Sequence, residues 1–252
     1  MTNGGCIELV SFPGGWGIVS NSPFCLKLDA YLRMSGIPYK MRLCGDPRTA
    51  PKGKLPYIVL ENGTDMIADS GECIDFLEER SGAQGLDANL TEDQKADALC
   101  VRRTVEEHLY WVMVYSRWVD PQGWNHMYNL VKESAGLPWF IAPFILPRIQ
   151  KKVIGELHGH GIGRHDPDVI YRMGRKDVDA ISAKLGQRKF YFGGSKPTTI
   201  DACLYGTLIG FLKCPWDNVI KSHLLENHTN LVAYANALHE MYYPSMQDSE
   251  KK

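Results

Sequence analysis

Ser22-Pro23-Phe24-Cys25 is the most informative run in this chain of 252 residues. An apolar segment over residues 8–12 precedes it and closes at Pro13-Gly14-Gly15, as expected for a buried strand that enters a loop. Ser22 suits the N-cap of a helix and Pro23 its first turn, and Gly36 ends the helical pattern. The run therefore predicts a strand, a loop and a helix, with Ser22 at the helix N-terminus.

The rest of the N-terminal half continues with short strands. Residues 39–43 alternate polar and apolar side chains, which predicts a second strand. Two apolar runs, residues 57–60 and 66–68, flank Asn62-Gly63, and this dipeptide between apolar runs indicates an antiparallel hairpin. A helix is expected over residues 71–80, with Asp69 or Ser70 as its cap. The predicted order is β-α-β followed by β-β-α.

Strand signals nearly vanish after residue 91, and helical periodicity replaces them. Residues 81–90, which hold two glycines and fit neither period, are predicted to be the linker. The N-terminal domain is therefore expected over residues 1–82 and an all-helical domain over 91–246. Thr198 and Asp201 have the spacing of a capping box before an almost wholly apolar segment. Helices are predicted over residues 92–119, 139–157 (broken or kinked by prolines), 167–185, 200–212 and 230–242.

Composition narrows the class of protein. Hydrophobic residues at 44%, charged residues at 23% and a formal charge of −1 indicate a globular protein and argue against a nucleic-acid partner. The most apolar stretch, residues 137–149, is too short for a membrane span, which needs about 20 residues. Seven scattered cysteines indicate a reducing compartment, and the first residues lack the pattern of a secretory signal. A cytoplasmic location is therefore expected.

The residue at position 22 sets the chemistry expected at the first helix. A thiol-redox site needs a cysteine there, where the helix N-terminus favours a thiolate. Serine cannot form a disulfide, but its hydroxyl can hydrogen-bond a thiolate brought in by a ligand. The alternative is that Ser22 only caps the helix. Cys25, without a thiol partner nearby in sequence, is interpreted as a small buried apolar residue.

Three short motifs together carry a family resemblance. Ser22-Pro23-Phe24-Cys25, Lys54-Leu55-Pro56-Tyr57 and Asp69-Ser70 occur in the order and spacing of the N-terminal domain of cytosolic glutathione transferases. The chain most resembles their metaxin-like and failed-axon-connections-like branch, and Thr198 with Asp201 extends the match to the helical half. The resemblance implies a thioredoxin-like α/β domain followed by a helical glutathione-transferase domain. It also implies glutathione as co-substrate.

The resemblance assigns roles to individual residues. Leu55-Pro56 would be a cis-proline junction, with the Leu55 backbone pairing with the cysteinyl part of glutathione. Asp69 and Ser70 would receive the γ-glutamyl carboxylate at a helix start, although a plain cap is the alternative. Lys54, or Lys52, would pair with the glycyl carboxylate. Ser22, with Ser20 as the alternative, would hydrogen-bond the thiol and favour its thiolate.

Aromatic residues predict where an electrophile would bind. Phe12, Pro13 and Trp16 on one side and Trp111, Tyr115 and Trp118 on the other are expected to form an apolar wall between the two domains. The last three share a helix face. Such stripes are more often core than pocket, and this alternative stays open.

The sequence thus favours a glutathione transferase whose bound thiolate attacks a small, partly apolar electrophile. The alternative is a non-catalytic interaction module of the same fold, as in metaxin-like proteins; a thiol-disulfide reductase is disfavoured because Ser22 replaces the first cysteine. A homodimer is expected from the family alone. No metal is expected, because neither a nearby cysteine nor a fixed helical spacing supports a site at His158, His160 and His165. Their glycine-rich segment is interpreted as a mobile loop.

Overall fold

The computed structural model describes residues 6–244. A four-stranded mixed sheet lies in the N-terminal half, with strand order β2-β1-β3-β4. β1 (Ile7–Ser11) pairs in parallel with β2 (Tyr39–Leu43) and antiparallel with β3 (Tyr57–Val59), which continues into β4 (Met66–Ala68) as the predicted hairpin. The four predicted strands are confirmed. β1 is an inner strand of this sheet, and its side chains are therefore almost all buried.

Two helices accompany the sheet, α1 (Pro23–Ser35) and α2 (Ser70–Ser81). The backbone N–H of Cys25 donates to the Ser22 hydroxyl oxygen over 3.4 Å, so the predicted N-cap is confirmed. α1 ends at Gly36, whose φ of 69° is the left-handed conformation that glycine adopts without strain.

The C-terminal half is helical throughout, which confirms the predicted fold class of a thioredoxin-like domain followed by a helical domain. No helix within residues 6–244 has both the length and the apolar character that crossing a bilayer requires. The helices are α3 (Glu92–Arg103), α4 (Tyr110–Trp118), α5 (Pro121–Ser134), α6 (Ala142–His160), α7 (Pro167–Leu185), α8 (Thr199–Leu212), α9 (Val219–Asn227) and α10 (Thr229–Tyr242).

The long helix expected over residues 92–119 is present but contains a π-helical turn. This turn, Thr104–Leu109, joins α3 to α4. A π turn inserts an extra residue and therefore rotates the faces of the helix that follows it. The side chains of α4 consequently meet their neighbours at a different angle from that of a regular helix.

Three helical segments differ from the sequence-based expectation. Two helices were not predicted: α5, which begins at Pro121, and α9, which follows its N-cap Asn218. The interpretation of the glycine-rich segment as a mobile loop is also wrong, because residues 155–160 form the last part of α6. The domain boundaries remain predictions, and residues 1–5 and 245–246 of the expected domains lie outside the described residues.

α8 forms the centre of the molecule, and all its residues from Ile200 to Phe211 are buried. The Asp201 carboxylate accepts hydrogen bonds from the Thr198 N–H at 2.7 Å and from the Thr198 hydroxyl at 2.8 Å. It also accepts from the Tyr191 N–H at 2.7 Å and the Tyr234 hydroxyl at 2.6 Å. The buried charge is thus fully hydrogen-bonded, and it ties the start of α8 to α10 and to the preceding loop.

Candidate functional site

Ser22 lies where the loop after β1 enters α1. Its hydroxyl is half-buried and opens onto a cavity between the two halves of the molecule. Ser20 is completely buried, and its hydroxyl oxygen accepts from the Ser22 N–H at 3.3 Å. Of the two serines predicted to face the thiol, Ser22 is therefore the one with access to a ligand, while Ser20 supports the turn beneath it.

Cys25 lies one turn into α1 and has no exposed surface. Burial raises the pKa of its thiol, and hydrogen bonds with Ser11, the Phe12 backbone, Ser22 and Ser20 offset this only in part. The thiol is thus neutral at physiological pH and is not a nucleophile. This agrees with its interpretation as a buried apolar residue.

The corner between β3 and α2 carries the residues predicted to hold glutathione. Leu55-Pro56 is a cis peptide bond, and both residues are buried. Ser70 is the first residue of α2 and is buried, while the Asp69 carboxylate accepts from the Gly71 N–H at 2.8 Å. Lys54 is exposed at the surface. The N-termini of α1 and α2, at Ser22 and at Ser70, carry the positive end of a helix dipole, which suits an anion.

Asp69 has an unusual backbone conformation, with φ of 91° and ψ of 132°. Residues other than glycine rarely adopt this region, and holding one there costs about 1–3 kcal/mol. Such strain persists only where the surroundings fix it, and it is concentrated at ligand sites.

The cavity beside Ser22 has a volume of about 210 Å³. The loop residues Phe12 and Pro13 form one wall, and side chains of α4 and α5 form the others. An engineered cavity of about 150 Å³ takes benzene, so this one suits a molecule of similar or slightly larger size. Its lining comprises Phe12, Pro13, Asn21, Ser22, Pro23, Gly45, Tyr110, Met113, Val114, Arg117, Trp118, Met127, Leu130, Val131 and Ser134.

Part of the predicted aromatic wall lies elsewhere. Phe12, Pro13 and Trp118 line the cavity, but Trp16, Trp111 and Tyr115 do not. The ring of Trp16 packs edge-on against Trp216 at 5.3 Å. Trp16 does not line the cavity because the loop directs its ring toward the segment that follows α8.

Trp111 and Tyr115 face other helices. Trp111 stacks on His160 of α6 at 4.7 Å, and Tyr115 contacts Tyr171 of α7 at 5.8 Å. The face of α4 that meets the cavity carries Tyr110, Met113, Val114 and Arg117, one residue away from the predicted stripe. The open alternative, that these aromatic residues are core, describes Trp111 and Tyr115.

Two polar residues of the cavity were missed from the sequence. Arg117 of α4 is only 6% exposed, and burial lowers its pKa to about 10. Asn21 is 7% exposed, and neither its amide oxygen nor its amide nitrogen has a hydrogen-bond partner among the described residues. No local sequence pattern indicates that Asn21 is buried. For Arg117, its position next to Trp118 of the predicted aromatic stripe was a signal that it could face the cavity.

A histidine cluster away from the cavity was also missed. Asp179 of α7, His223 of α9 and His228 place their ligand atoms within 4.8 Å of one another. The histidines considered in the sequence are elsewhere: His158 is exposed on α6, and His160 stacks on Trp111.

Comparison with known proteins identifies the family. The glutathione S-transferase N-terminal domain matches residues 23–123 and the corresponding C-terminal domain residues 174–238. The isoprene-epoxide glutathione S-transferase of Rhodococcus sp. (strain AD45) is 32% identical over 94% of this chain and 99% of its own length. Metaxin-1 of Macaca fascicularis is 30% identical over 94% of this chain and 75% of its own length. Failed axon connections of Drosophila melanogaster is 29% identical over 91% of this chain and 56% of its own length.

Solved structures agree on the fold. A glutathione S-transferase of Ceriporiopsis subvermispora, determined with glutathione, has a TM-score of 0.60 at 17% identity and covers 94% of this chain and 98% of its own. A beta-etherase of Sphingobium sp. strain SYK-6 has a TM-score of 0.59 at 14% identity, and the match covers 98% of this chain and 99% of the etherase chain. These findings confirm the resemblance noted from the sequence. The chain belongs to the glutathione S-transferase family, in which metaxin-1 and failed axon connections are among its relatives.

Proposed function

We propose that this protein is a glutathione transferase that joins the thiolate of bound glutathione to a small, partly apolar electrophile. The observation that carries the proposal is the Ser22 hydroxyl, which stands at the N-terminus of α1 and opens onto the cavity. A hydroxyl and a helix N-terminus both favour a thiolate placed before them. Serine acts here as a hydrogen-bond donor, and the sulfur of glutathione is the nucleophile.

The proposed binding mode uses both helix starts. The cysteinyl part of glutathione pairs with the backbone at Leu55, beside the cis-proline, and the γ-glutamyl carboxylate lies at Ser70 and Asp69. Lys54 offers a charge to the glycyl carboxylate from the surface. The thiol then points toward Ser22, and the electrophile occupies the cavity against α4 and α5. Epoxides are the first class to test, since the relative from Rhodococcus is named for an isoprene epoxide.

A second candidate function is a non-catalytic interaction module. It is favoured by the metaxin-1 relatives, which match over 94% of this chain at about the same identity as the named enzyme. Under this hypothesis the cavity and Ser22 are remnants, and the protein does not bind glutathione. A cytoplasmic location and a two-fold homodimer belong to the enzymatic proposal, and light scattering after gel filtration tests the dimer.

Calorimetric titration with glutathione separates the two functions, because conjugation requires binding. The expected result is heat and a raised melting temperature, followed by product formation with a small epoxide. A titration without heat or thermal shift would favour the interaction module. S-methylglutathione serves as the control ligand, since it keeps the backbone contacts but has no ionisable thiol.

A further inference from the structure

Arg117 carries a buried charge in the proposed electrophile cavity. Its guanidinium donates to the backbone oxygen of Asn21 at 2.5 Å and to that of Gly210 at 3.1 Å. No carboxylate lies within ion-pairing distance of Arg117 among residues 6–244. A guanidinium has five N–H donors, and these two bonds use only part of them. Buried charges are usually paired, so this cation has the capacity to receive a negative partner.

Asn21 supplies a second unused group beside the guanidinium. Asn21 is buried, with 7% of its surface exposed, and neither polar atom of its amide has a partner in the described part of the chain. Its own backbone oxygen is held by Arg117, so the two residues are fixed relative to each other. Buried amides are nearly always hydrogen-bonded. An orphaned amide that lines a cavity therefore points to a ligand with a polar atom.

The rest of the cavity narrows the class of that ligand. Apart from Asn21, Arg117 and Ser22, the lining is dominated by apolar and aromatic side chains, among them Met113 and Met127. A substrate of this size would therefore be a small hydrocarbon frame with one oxygen facing Arg117 and Asn21. Ser22 lies on the same cavity, so the oxygen and the attacking sulfur are near one another.

We propose that Arg117 and the amide N–H group of Asn21 bind the substrate oxygen that becomes negatively charged during conjugation, which makes small epoxides the preferred electrophiles. This inference rests on the proposed transferase function. The glutathione thiol first loses its proton to solvent. The thiolate then forms a bond to a ring carbon while the bond from that carbon to oxygen breaks, and its electron pair stays on oxygen. The alkoxide next to Arg117 takes a proton from water to give a hydroxy thioether.

The test compares two substrates with the same four carbons, 1,2-epoxybutane and 1-iodobutane. The first leaves its oxygen on the product, whereas the second releases iodide, which accepts hydrogen bonds weakly. In Asn21→Leu, kcat/KM for the epoxide should fall about 10²-fold relative to that for the iodide, the scale of one lost donor to a developing oxyanion. Met127→Leu is the matched control and should change both substrates by the same factor.

Asn21→Asp gives the sharper result. A carboxylate of the same shape would neutralise Arg117, so the melting temperature should rise while epoxide opening is lost. Arg117→Lys keeps the charge and should keep part of the preference for the epoxide. Equal effects on both substrates in the Asn21 variants would overturn this inference, as would a parent enzyme that conjugates only the iodide. A parent that binds no glutathione and conjugates neither substrate would overturn the proposed function, and this inference with it.

A second inference rests on the cluster of Asp179, His223 and His228. The Nε2 atoms of the two histidines lie 2.7 and 2.8 Å from the same carboxylate oxygen, Oδ1 of Asp179, and 3.1 Å from each other. If both Nε2 atoms carried a proton and donated to that oxygen, two N–H groups would face each other across the 3.1 Å between the nitrogens. Nitrogen ligands of zinc lie about 2.0–2.1 Å from the metal, so the three atoms need to move apart by only a few tenths of an ångström to surround one cation tetrahedrally.

We infer that these three side chains form a binding site for a divalent transition metal that joins α7, α9 and the start of α10. Two imidazoles and one carboxylate are ligands suited to zinc and to its neighbours in the first transition row. The site is far in sequence from Ser22 and does not depend on the proposed transferase function.

Zinc titration of the chelator-treated protein tests this site. One zinc ion should bind per chain and raise the melting temperature, and both effects should be lost in His223→Gln and in His228→Gln. His158→Gln, an exposed histidine on α6, is the control and should bind zinc like the parent. The inference is overturned if the parent binds no zinc, or if zinc binding survives both cluster variants while they remain folded.

Discussion

Lys27 of α1 donates a hydrogen bond to the Glu106 carboxylate at 2.6 Å and joins the thioredoxin-like half to the π-helical turn of the helical half. Both side chains are well buried, with exposures of 3% and 12%. A buried ion pair costs desolvation on both partners, and removing one partner leaves an uncompensated charge. The pair thus links the two halves through buried charges that depend on each other.

We expect Glu106→Gln to lower the free energy of unfolding by about 3–5 kcal/mol, because Lys27 loses its counter-charge. Urea unfolding measures this. The double variant Lys27→Met with Glu106→Leu should recover most of the loss, since no charge remains buried. Lys95→Met, in the exposed pair with Glu92, is the control and should cost under about 1 kcal/mol. A Glu106 variant as mild as the control would contradict the interpretation.

Gly206 marks a close approach between the backbones of α8 and α1. A Cβ at this position would lie 2.6 Å from the Pro23 carbonyl oxygen and 2.9 Å from the Lys27 nitrogen. Both are backbone atoms at the start of α1, and neither can move without displacing Ser22. We expect Gly206→Ala to destabilise the fold by about 1–3 kcal/mol, measured by thermal unfolding.

The matched control for Gly206 is Gly155 of α6, where a Cβ would meet no atom within 4 Å. Gly155→Ala should stabilise the protein by about 0.5–1 kcal/mol through helix propensity alone. If both alanine variants stabilised the protein, α8 and α1 would not be in backbone contact. Activity should fall only in Gly206→Ala.

Local signals in the sequence were enough for the sheet and for the helix starts. Ser22 with Pro23, Asn62-Gly63, and Thr198 with Asp201 each act within a few residues, and the structure contains all three features. Glutathione transferase membership also rests on such short motifs. These features could be predicted because the chemistry that forms them is local.

The cavity could not be predicted in the same way. Whether Trp111 or Arg117 faces the cavity depends on the π turn at Thr104–Leu109, which rotates α4 and has no clear sequence signature. α5 supplies Met127 and other cavity residues. Its apolar residues have helical spacing, but this helix, which lies between Pro121 and Pro138, was not predicted from the sequence. The burial of Asn21 depends on residues about 100 positions away.

A substitution at Ser70 tests the proposed binding of the γ-glutamyl carboxylate of glutathione. The Ser70 hydroxyl and N–H group stand at the start of α2, where they would donate to the γ-glutamyl carboxylate. We expect Ser70→Ala to weaken glutathione binding by about 1–3 kcal/mol, the range for a lost hydrogen bond to a charged group. Calorimetry measures this, with a melting curve as the control for folding. An unchanged affinity for glutathione would mean that Ser70 does not bind the γ-glutamyl carboxylate.

Asp69 tests the strain at the same corner. Alanine is disfavoured at a φ of 91°, whereas glycine adopts it freely and still caps a helix acceptably. Asp69→Ala should therefore lower the melting temperature clearly more than Asp69→Gly. The expected gap corresponds to about 1–3 kcal/mol of backbone strain plus the lost cap. Equal melting temperatures would mean that the backbone relaxes when the side chain is removed.

Ser22→Ala and Ser22→Gly separate capping from catalysis. Both remove the hydroxyl, so both should slow conjugation by about 10²-fold while glutathione affinity stays nearly unchanged. They should differ in stability, since an alanine cap costs about 1 kcal/mol and a glycine cap only a few tenths. Rate constants and thermal unfolding are the measurements. A normal rate in both variants would show that Ser22 does not assist the thiolate.

Ser22→Cys tests the direction in which position 22 faces. The helix N-terminus should lower the pKa of the new thiol and make it nucleophilic. Its thiolate would attack one sulfur of oxidised glutathione, form a mixed disulfide and release glutathione thiolate. The Cys25 thiol hydrogen-bonds with Ser22 but is buried and neutral, so an internal disulfide forms only where the mixed disulfide exposes that thiol and lets it lose its proton. Mass spectrometry should detect one of these products on the variant and neither on the parent.

Ser20→Cys is the control for this experiment, because position 20 is fully buried and should form no adduct. The two variants place a thiol two residues apart on the same turn, so solvent access and direction are what differ between them. A folded Ser22→Cys protein without either product would mean that position 22 does not face the glutathione sulfur. An adduct on Ser20→Cys instead would move the thiol-activating role to Ser20.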